Sequence, residues 1–236
     1  MAINYGNRIG FRVNKSKSFE YCKKSVDAAA ADDDDSDAAA LRMLAKFYED
    51  GNVVQQNYSK ANEYYKKAAD LGDAESMKCL AVNYESGNGF PTSQEKAFEY
   101  FQKAADKNLP FAAFALGTFY DYGKHVKQDY SKAASCYLKA IDLGSSEACV
   151  NLWVLYAFGK GFKPNLEKGL ELFKKSADMG NPTGCFNTAH CYEEGIGTAK
   201  NPSKAFEYFK KADELGHPDA KDRLKKYKRS ILLKIA

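Results

Sequence analysis

The chain is 236 residues long, 44% hydrophobic and 28% charged, with a formal charge of +4; this balance excludes a disordered polar chain and fits a soluble folded one. No apolar run approaches the roughly 18 residues a membrane-spanning helix needs, and the longest, around Cys149 to Gly159, contains Asn151. Residues 1–16 lack the continuous apolar stretch of a signal peptide, so the expected compartment is the cytoplasm.

In chain order, residues 1–27 carry Gly10-Phe11 and the run Lys17-Ser18-Phe19-Glu20-Tyr21-Cys22-Lys23-Lys24-Ser25, which returns later as Gly89-Phe90 and Lys96 to Ala104. They read as a degenerate half of the unit described next. Tract 28–37 is rich in Ala and Asp, with Asp32 to Asp35 and Asp37 forming an acidic run. It reads as an extended helix end or a flexible spacer, with acid-mediated docking as the other reading.

Residues 38–217 are periodic: Gly51, Gly87, Gly123, Gly159 and Gly195 stand 36 residues apart, and each follows a Tyr by three positions (Tyr48, Tyr84, Tyr120, Tyr156, Tyr192). A period of that length marks a helical solenoid, in which a unit cannot bury its own apolar face and must stack on its neighbours. The first helix of each unit carries Leu44, Leu80, Leu116, Leu152 or Thr188 four residues before the Tyr, on one helical face. Asp37, Asp73, Ser145 and Asn181 are its expected N-caps, and Pro110, Pro182 and Pro218 its expected first residues. The Tyr-x-x-Gly ends it, glycine tolerating the left-handed conformation of a helix terminus.

The second helix opens at Asn57, Ser93, Asp129, Asn165 and Asn201, all good N-caps, and ends at Gly72, Asn108, Gly144, Gly180 and Gly216. Its predicted buried stripe runs small, aromatic, small, as in Ala97, Phe101, Ala104 or Gly169, Phe173, Ser176. Glu–Lys pairs at i, i+4, such as Glu63 and Lys67, read as a solvated face. A lysine column at 60, 96, 132, 168 and 204 sits in a first turn, where the helix dipole disfavours it, its stem covering apolar surface. Residues 218–236 restart a first helix and read as a basic C-terminal cap; a membrane-surface or nucleic-acid helix is the alternative.

Six cysteines without C-x-x-C spacing read as small buried hydrophobes, reduced in the native protein, rather than as a metal or disulfide framework. A metal role for Cys185, His190 and Cys191 is the weaker alternative, since neighbouring repeats lack the group. Three histidines, His125, His190 and His217, fall in unrelated columns and form no evident acid–base constellation. No catalytic residue, metal or cofactor is therefore expected.

The pattern Leu80-Ala81-x-x-Tyr84-x-x-Gly87-x-Gly89-Phe90, then Lys96-Ala97-Phe98-Glu99-Tyr100-Phe101-x-Lys103-Ala104-Ala105, resembles the Sel-1-like repeat, a relative of the tetratricopeptide repeat. It recurs around Tyr192 to Gly197 and Lys204 to Ala212, while His125 and Trp153 depart from it. The resemblance implies an all-α, right-handed superhelical solenoid of antiparallel helix pairs, acting as a non-enzymatic adaptor that binds a protein or peptide in its concave groove. A cysteine-rich branch of the family is associated with β-lactam binding and hydrolysis, but it pairs cysteines within each repeat, which this chain does not.

In that stacking, the first-helix side opposite the Leu column lines the groove. It reads Arg42, Lys46, Lys78, Val82 in repeats 1 and 2, and Phe114, Thr118, Val150, Val154, Phe186, His190 in repeats 3 to 5. The expected docking strip is thus Phe114, Val150, Trp153, Val154, Phe186 and His190. Trp153 reads as a projecting anchor or as filler for the space left by Gly169. On this reading Phe186→Ala with Val150→Ser abolishes capture without moving the melting temperature.

Overall fold

A computed structural model describes residues 14–32, 37–225 and 227. Eleven helices are bounded there: α1 Lys15–Asp32, α2 Ala38–Asp50, α3 Tyr58–Asp70, α4 Ala74–Ser86, α5 Gln94–Asp106, α6 Pro110–Tyr122, α7 Tyr130–Asp142, α8 Glu147–Ala157, α9 Leu166–Asp178, α10 Pro182–Glu194 and α11 Pro202–Glu214. Residues 220–225 are helical again, and no strand occurs among the described residues. Residues 1–13 with Gly10-Phe11, residues 33–36 of the acidic run, and tail residues 226 and 228–236 lie outside the described residues, while Asp37 caps α2.

Each second helix starts as its sequence dictates. The side chains of Asn57, Ser93, Asp129, Asn165 and Asn201 accept from the backbone N–H three residues on, at 2.9–3.2 Å. The same five cap residues donate their own N–H to the carbonyls of Tyr48, Tyr84, Tyr120, Tyr156 and Tyr192, at 2.8–3.0 Å. The first helix of a unit is thereby tied to its second, and the chain reverses into an antiparallel pair.

Two expected starts shift. The cap of α8 is Ser146, without a side-chain cap bond; Ser145 instead donates to Glu147 Oε2 at 3.1 Å. Pro218 lies in a turn ahead of the helical residues from 220. The helix-ending Gly72, Asn108, Gly144, Gly180 and Gly216 all take positive φ, as does His125, standing where Gly89, Gly161 and Gly197 stand.

The chain divides into two compact units, residues 1–112 and 113–236. In both, the second-helix stripe is buried: Tyr65 and Phe101 in the first unit, Tyr137, Phe173 and Phe209 in the second, all at 0–3% exposure. The Leu column is buried with it, including Thr188, whose hydroxyl donates to the Gly184 carbonyl at 2.8 Å.

The Tyr column is different. Tyr192 is buried, while Tyr48, Tyr84, Tyr120 and Tyr156 are half-buried, and each of the five rings is roofed by a lysine. Lys60, Lys96, Lys132, Lys168 and Lys204 hold Nζ over the rings of Tyr48, Tyr84, Tyr120, Tyr156 and Tyr192, at 4.6, 5.1, 5.4, 5.7 and 5.2 Å. Those lysines therefore sit in an unfavourable first turn because the cap places them above an aromatic face, where a cation gains about 0.5–1 kcal/mol. The cap's N–H bond to the Tyr carbonyl and the ring contact both link the same two helices.

Candidate interaction surface

On the first helices of the second unit, the side opposite the buried Leu column carries three stripes at i, i+4, i+8. They are Phe114, Thr118, Tyr122 on α6; Val150 and Val154 on α8 with Phe158 just past its end; and Phe186, His190, Glu194 on α10. In the first unit the same columns hold Arg42, Lys46, Asp50 on α2 and Lys78, Val82, Ser86 on α4. There the charges are paired: Arg42 with Asp73 at 2.6 Å, Lys46 with Glu49 and Asp50 at 2.9 and 3.2 Å, and Lys78 with Glu75.

The six residues of the sequence-derived strip are all half-buried. The Phe114 ring leans on Tyr137 at 5.9 Å. Phe186 is held harder, edge-on to Phe209 at 5.3 Å and stacked on His217 at 4.1 Å with 7° between planes. Truncating Phe186 therefore removes core contacts, and the expectation that Phe186→Ala leaves the melting temperature unmoved does not survive. Val150 packs with Leu170, Phe173 and Cys191.

Trp153 does not project. Its indole stacks on Phe173 at 4.9 Å, and a Cβ on Gly169 would fall 2.5 Å from its Cδ1. It occupies the space that Ala fills in the other second helices, with its Nε1 buried and unpaired. The filler reading of the sequence is the one the structure adopts.

Two exposed rings escaped the sequence reading. Tyr122 and Phe158 are 66% and 68% exposed, the two most exposed large apolar side chains among the described residues. They share one column of consecutive repeats, where the others hold Asp50, Ser86 and Glu194. That break from polar to aromatic was visible in the alignment of repeats.

His190, Glu193 and Glu194 bring one ligand atom each to within 4.8 Å of one another. Both carboxylates already face cations: Arg223 is 3.5 Å from Glu193 and Lys200 3.7 Å from Glu194. The cysteines once grouped with His190 are divided, Cys185 packing with Ala177, Ala212 and Ala220, and Cys191 with Leu170 and Phe173. Burial pushes the thiols of Cys149 and Cys191 up to about 11, so they are protonated and poor nucleophiles at neutral pH. Nothing in the strip assembles an acid, base and nucleophile within reach of one another.

Tandem helix pairs stacked through a small–aromatic–small stripe define an all-α repeat protein of the solenoid kind. The Sel1 repeat profile matches residues 1–29, 38–73, 74–109, 110–145, 146–181 and 182–217, and the chain belongs to that family. Family members are generally protein-interaction scaffolds.

Among solved structures, a protective antigen of uropathogenic Escherichia coli with an SLR fold is 26% identical, with a TM-score of 0.82 over 94% of this chain and 46% of that one. The chain thus spans about half the length of that antigen. A Sel1 repeat protein of Oxalobacter formigenes is 24% identical, with a TM-score of 0.73 over 90% of this chain and 87% of that one. An immunity protein of Pseudomonas aeruginosa is 18% identical, with a TM-score of 0.56 over 93% and 80% of the two chains. A comparison with curated proteins found no match.

Proposed function

We propose that the chain is a non-enzymatic scaffold that holds a partner protein or peptide against the first-helix face of its second unit, in the cytoplasm. The observation that carries this reading is the change of one helix face between repeats. Columns filled by ion-paired Arg42, Lys46 and Lys78 become Phe114, Val150, Val154, Phe186 and His190, half-buried, with Tyr122 and Phe158 largely exposed beyond them. A solvated face gains nothing from apolar side chains, so a run of them over three consecutive first helices supports desolvation by a partner. In tetratricopeptide-like stacking this face lines the concave side.

The test is affinity capture with the intact chain, with Val154→Ser/His190→Ser, and with Arg42→Ser/Lys78→Ser. Loss of the captured partner in the first variant, at a melting temperature within a few degrees of the parent, is the expected result. Retention there with loss in the second variant moves the surface to the first unit and ends this reading.

A further inference from the structure

Where the two exposed rings stand, two further columns change with them. Tyr122 is followed by Lys124 and Lys127, and Phe158 by Lys160 and Lys163. At those two lysine positions the other repeats hold Asn52 and Gln55, Asn88 and Pro91, and Ile196 and Ala199, behind Asp50, Ser86 and Glu194. An exposed ring and two lysines thus arrive together, in repeats 3 and 4 only. The two loops are also successive on one edge: loop 159–164 rests on the start of α7, where a Cβ on Gly161 would fall 2.6 Å from the Tyr130 Cβ.

The sign of this edge is positive. No acid occurs between Glu147 and Glu167, a span that contains Phe158, Lys160 and Lys163, and Glu167 sits in the first turn of α9, where the helix dipole holds it. In repeat 3 the nearest acids are engaged inside the fold. Asp121, 5% exposed, accepts from the Tyr137 hydroxyl at 3.2 Å, and Asp129 caps α7 by accepting from the Lys132 N–H at 2.9 Å. Lys124 lies over the Phe119 ring at 5.7 Å and Lys160 over the Tyr130 ring at 5.6 Å, contacts that leave the cation's charge in place. Lys127 and Lys163 are exposed, and neither they nor Lys160 form an ion pair among the described residues.

We propose, building on the scaffold reading, that the partner segment on this edge is an acidic peptide carrying a large apolar side chain. Its apolar group lies against Tyr122 and Phe158, and its carboxylates face Lys127, Lys160 and Lys163. Complementarity of charge selects acid over base. The extent of the patch selects a short peptide over a polyanion: a nucleic acid would carry its phosphates on to Glu194 and across the apolar Val150 and Val154, which gain nothing from them.

Random dodecapeptides displayed on phage and selected on the intact chain test the proposal. Recovered sequences should be rich in Asp and Glu beside a large apolar residue. A selected peptide, fluorescently labelled, should bind Lys127→Glu/Lys163→Glu about tenfold more weakly, and should bind the parent more weakly at 300 mM than at 50 mM salt. Tyr122→Ser/Phe158→Ser should lose it as well. All four side chains are exposed, so both variants should melt within a few degrees of the parent, and lost binding then reports on the surface rather than on folding.

Sequences without an acidic preference, or an affinity unchanged in the Glu variant, overturn the proposal; if those peptides are still lost by Val154→Ser/His190→Ser, the scaffold reading stands. If no peptide is enriched above a blank surface, both fall. Tighter binding of oligouridylate than of any selected peptide assigns the patch to RNA and overturns the proposal. Binding of phosphatidylserine vesicles, or self-association in sedimentation that Lys127→Glu/Lys163→Glu removes, assigns it to a membrane or to a second copy and likewise overturns it.

Discussion

The two units are built on one repeat, yet they hold their helices together differently. In the first unit polar groups reach into the seam between repeats: Asn62 donates to the Asn88 carbonyl at 2.8 Å and accepts from Asn83 at 2.7 Å, both side chains being 1% exposed. The second unit fills those columns with Phe119, Ala134, Leu155, Leu170, Cys191 and Phe206. Its first helices α6 and α8 are correspondingly richer in apolar residues, carrying Phe114, Leu116, Phe119, Val150, Leu152 and Trp153. A seam of hydrogen bonds specifies register but is costly when half made; an apolar seam is tolerant of register and leaves more apolar surface at the edge. The unit with the apolar seam is also the one that exposes the strip.

Polar support is not confined to the first unit, however. Tyr65 donates to Glu49 at 2.9 Å, and two repeats later Tyr137 donates to Asp121 at 3.2 Å while accepting from Asn151 at 3.2 Å. In repeat 5 the same acid column, Glu193, meets Arg223 instead. The acid at the end of a first helix is satisfied either by the tyrosine of its own second helix or by a residue of the next repeat.

The largest effect should come from the shared stripe. Tyr137→Ala should cost about 3–5 kcal/mol, as truncation of a fully buried aromatic does, and Tyr120→Ala clearly less because its ring is half-buried; urea denaturation of the two variants measures the ratio. Equal losses would show that the two aromatic columns are equally enclosed.

The seam comparison is sharpened by Asn83→Leu, which leaves the buried Asn62 carbonyl oxygen without its donor and should cost about 1–3 kcal/mol. Adding Asn62→Leu removes the orphaned group, so the double variant should regain part of that loss. Additive losses in a double-mutant cycle would count against the bond as a unit.

In the second unit, Gly169→Ala should overpack the indole and cost about 1–3 kcal/mol. With Trp153→Ala beside it, the pair copies the small-residue pattern of the other repeats and should melt closer to the parent than Gly169→Ala alone. A double variant less stable than Gly169→Ala would show that the indole supplies more than volume.

A pH scan addresses the two thiols whose pKa burial raises most, Cys149 and Cys191, both in the second unit. Burial raises their pKa from 9.0 to about 11, so between those values the unfolded chain has released protons that the native state still holds. Stability is then fully present below pH 9 and falls toward pH 11. Cys149→Ala/Cys191→Ala should flatten that part of the curve, read as unfolding midpoint against pH.

The smallest effect is expected from the lysine roof. Lys132→Met keeps the stem over Tyr120 and loses only the charge, costing about 0.5–1 kcal/mol. A stabilising result would mean that the unfavourable position near the helix N-terminus outweighs the ring.

Much of this was legible in the chain because it rests on local chemistry. Cap residues, left-handed helix ends and the small–aromatic–small stripe act through hydrogen bonds and spacings within a few residues, and all five second-helix caps fall where the sequence puts them. Ser145 misled because two adjacent serines can each cap, and the following Glu147 captured its hydroxyl. The lysine column was unexplained for the opposite reason: its partner ring lies 12 residues away, brought close only when the pair of helices closes.

By itself, then, the sequence determined the repeat, its helix pairs and which columns enter the core, since periodicity and capping are properties of the chain. Only the tertiary structure decided what each side chain meets across helices. Trp153 lies down on Phe173 because Gly169 leaves it room, Phe186 is pinned by Phe209 and His217, and Tyr122 and Phe158 stay outside because no helix among the described residues covers them. Those outcomes depend on volumes contributed by residues far apart in sequence, which no single column contains.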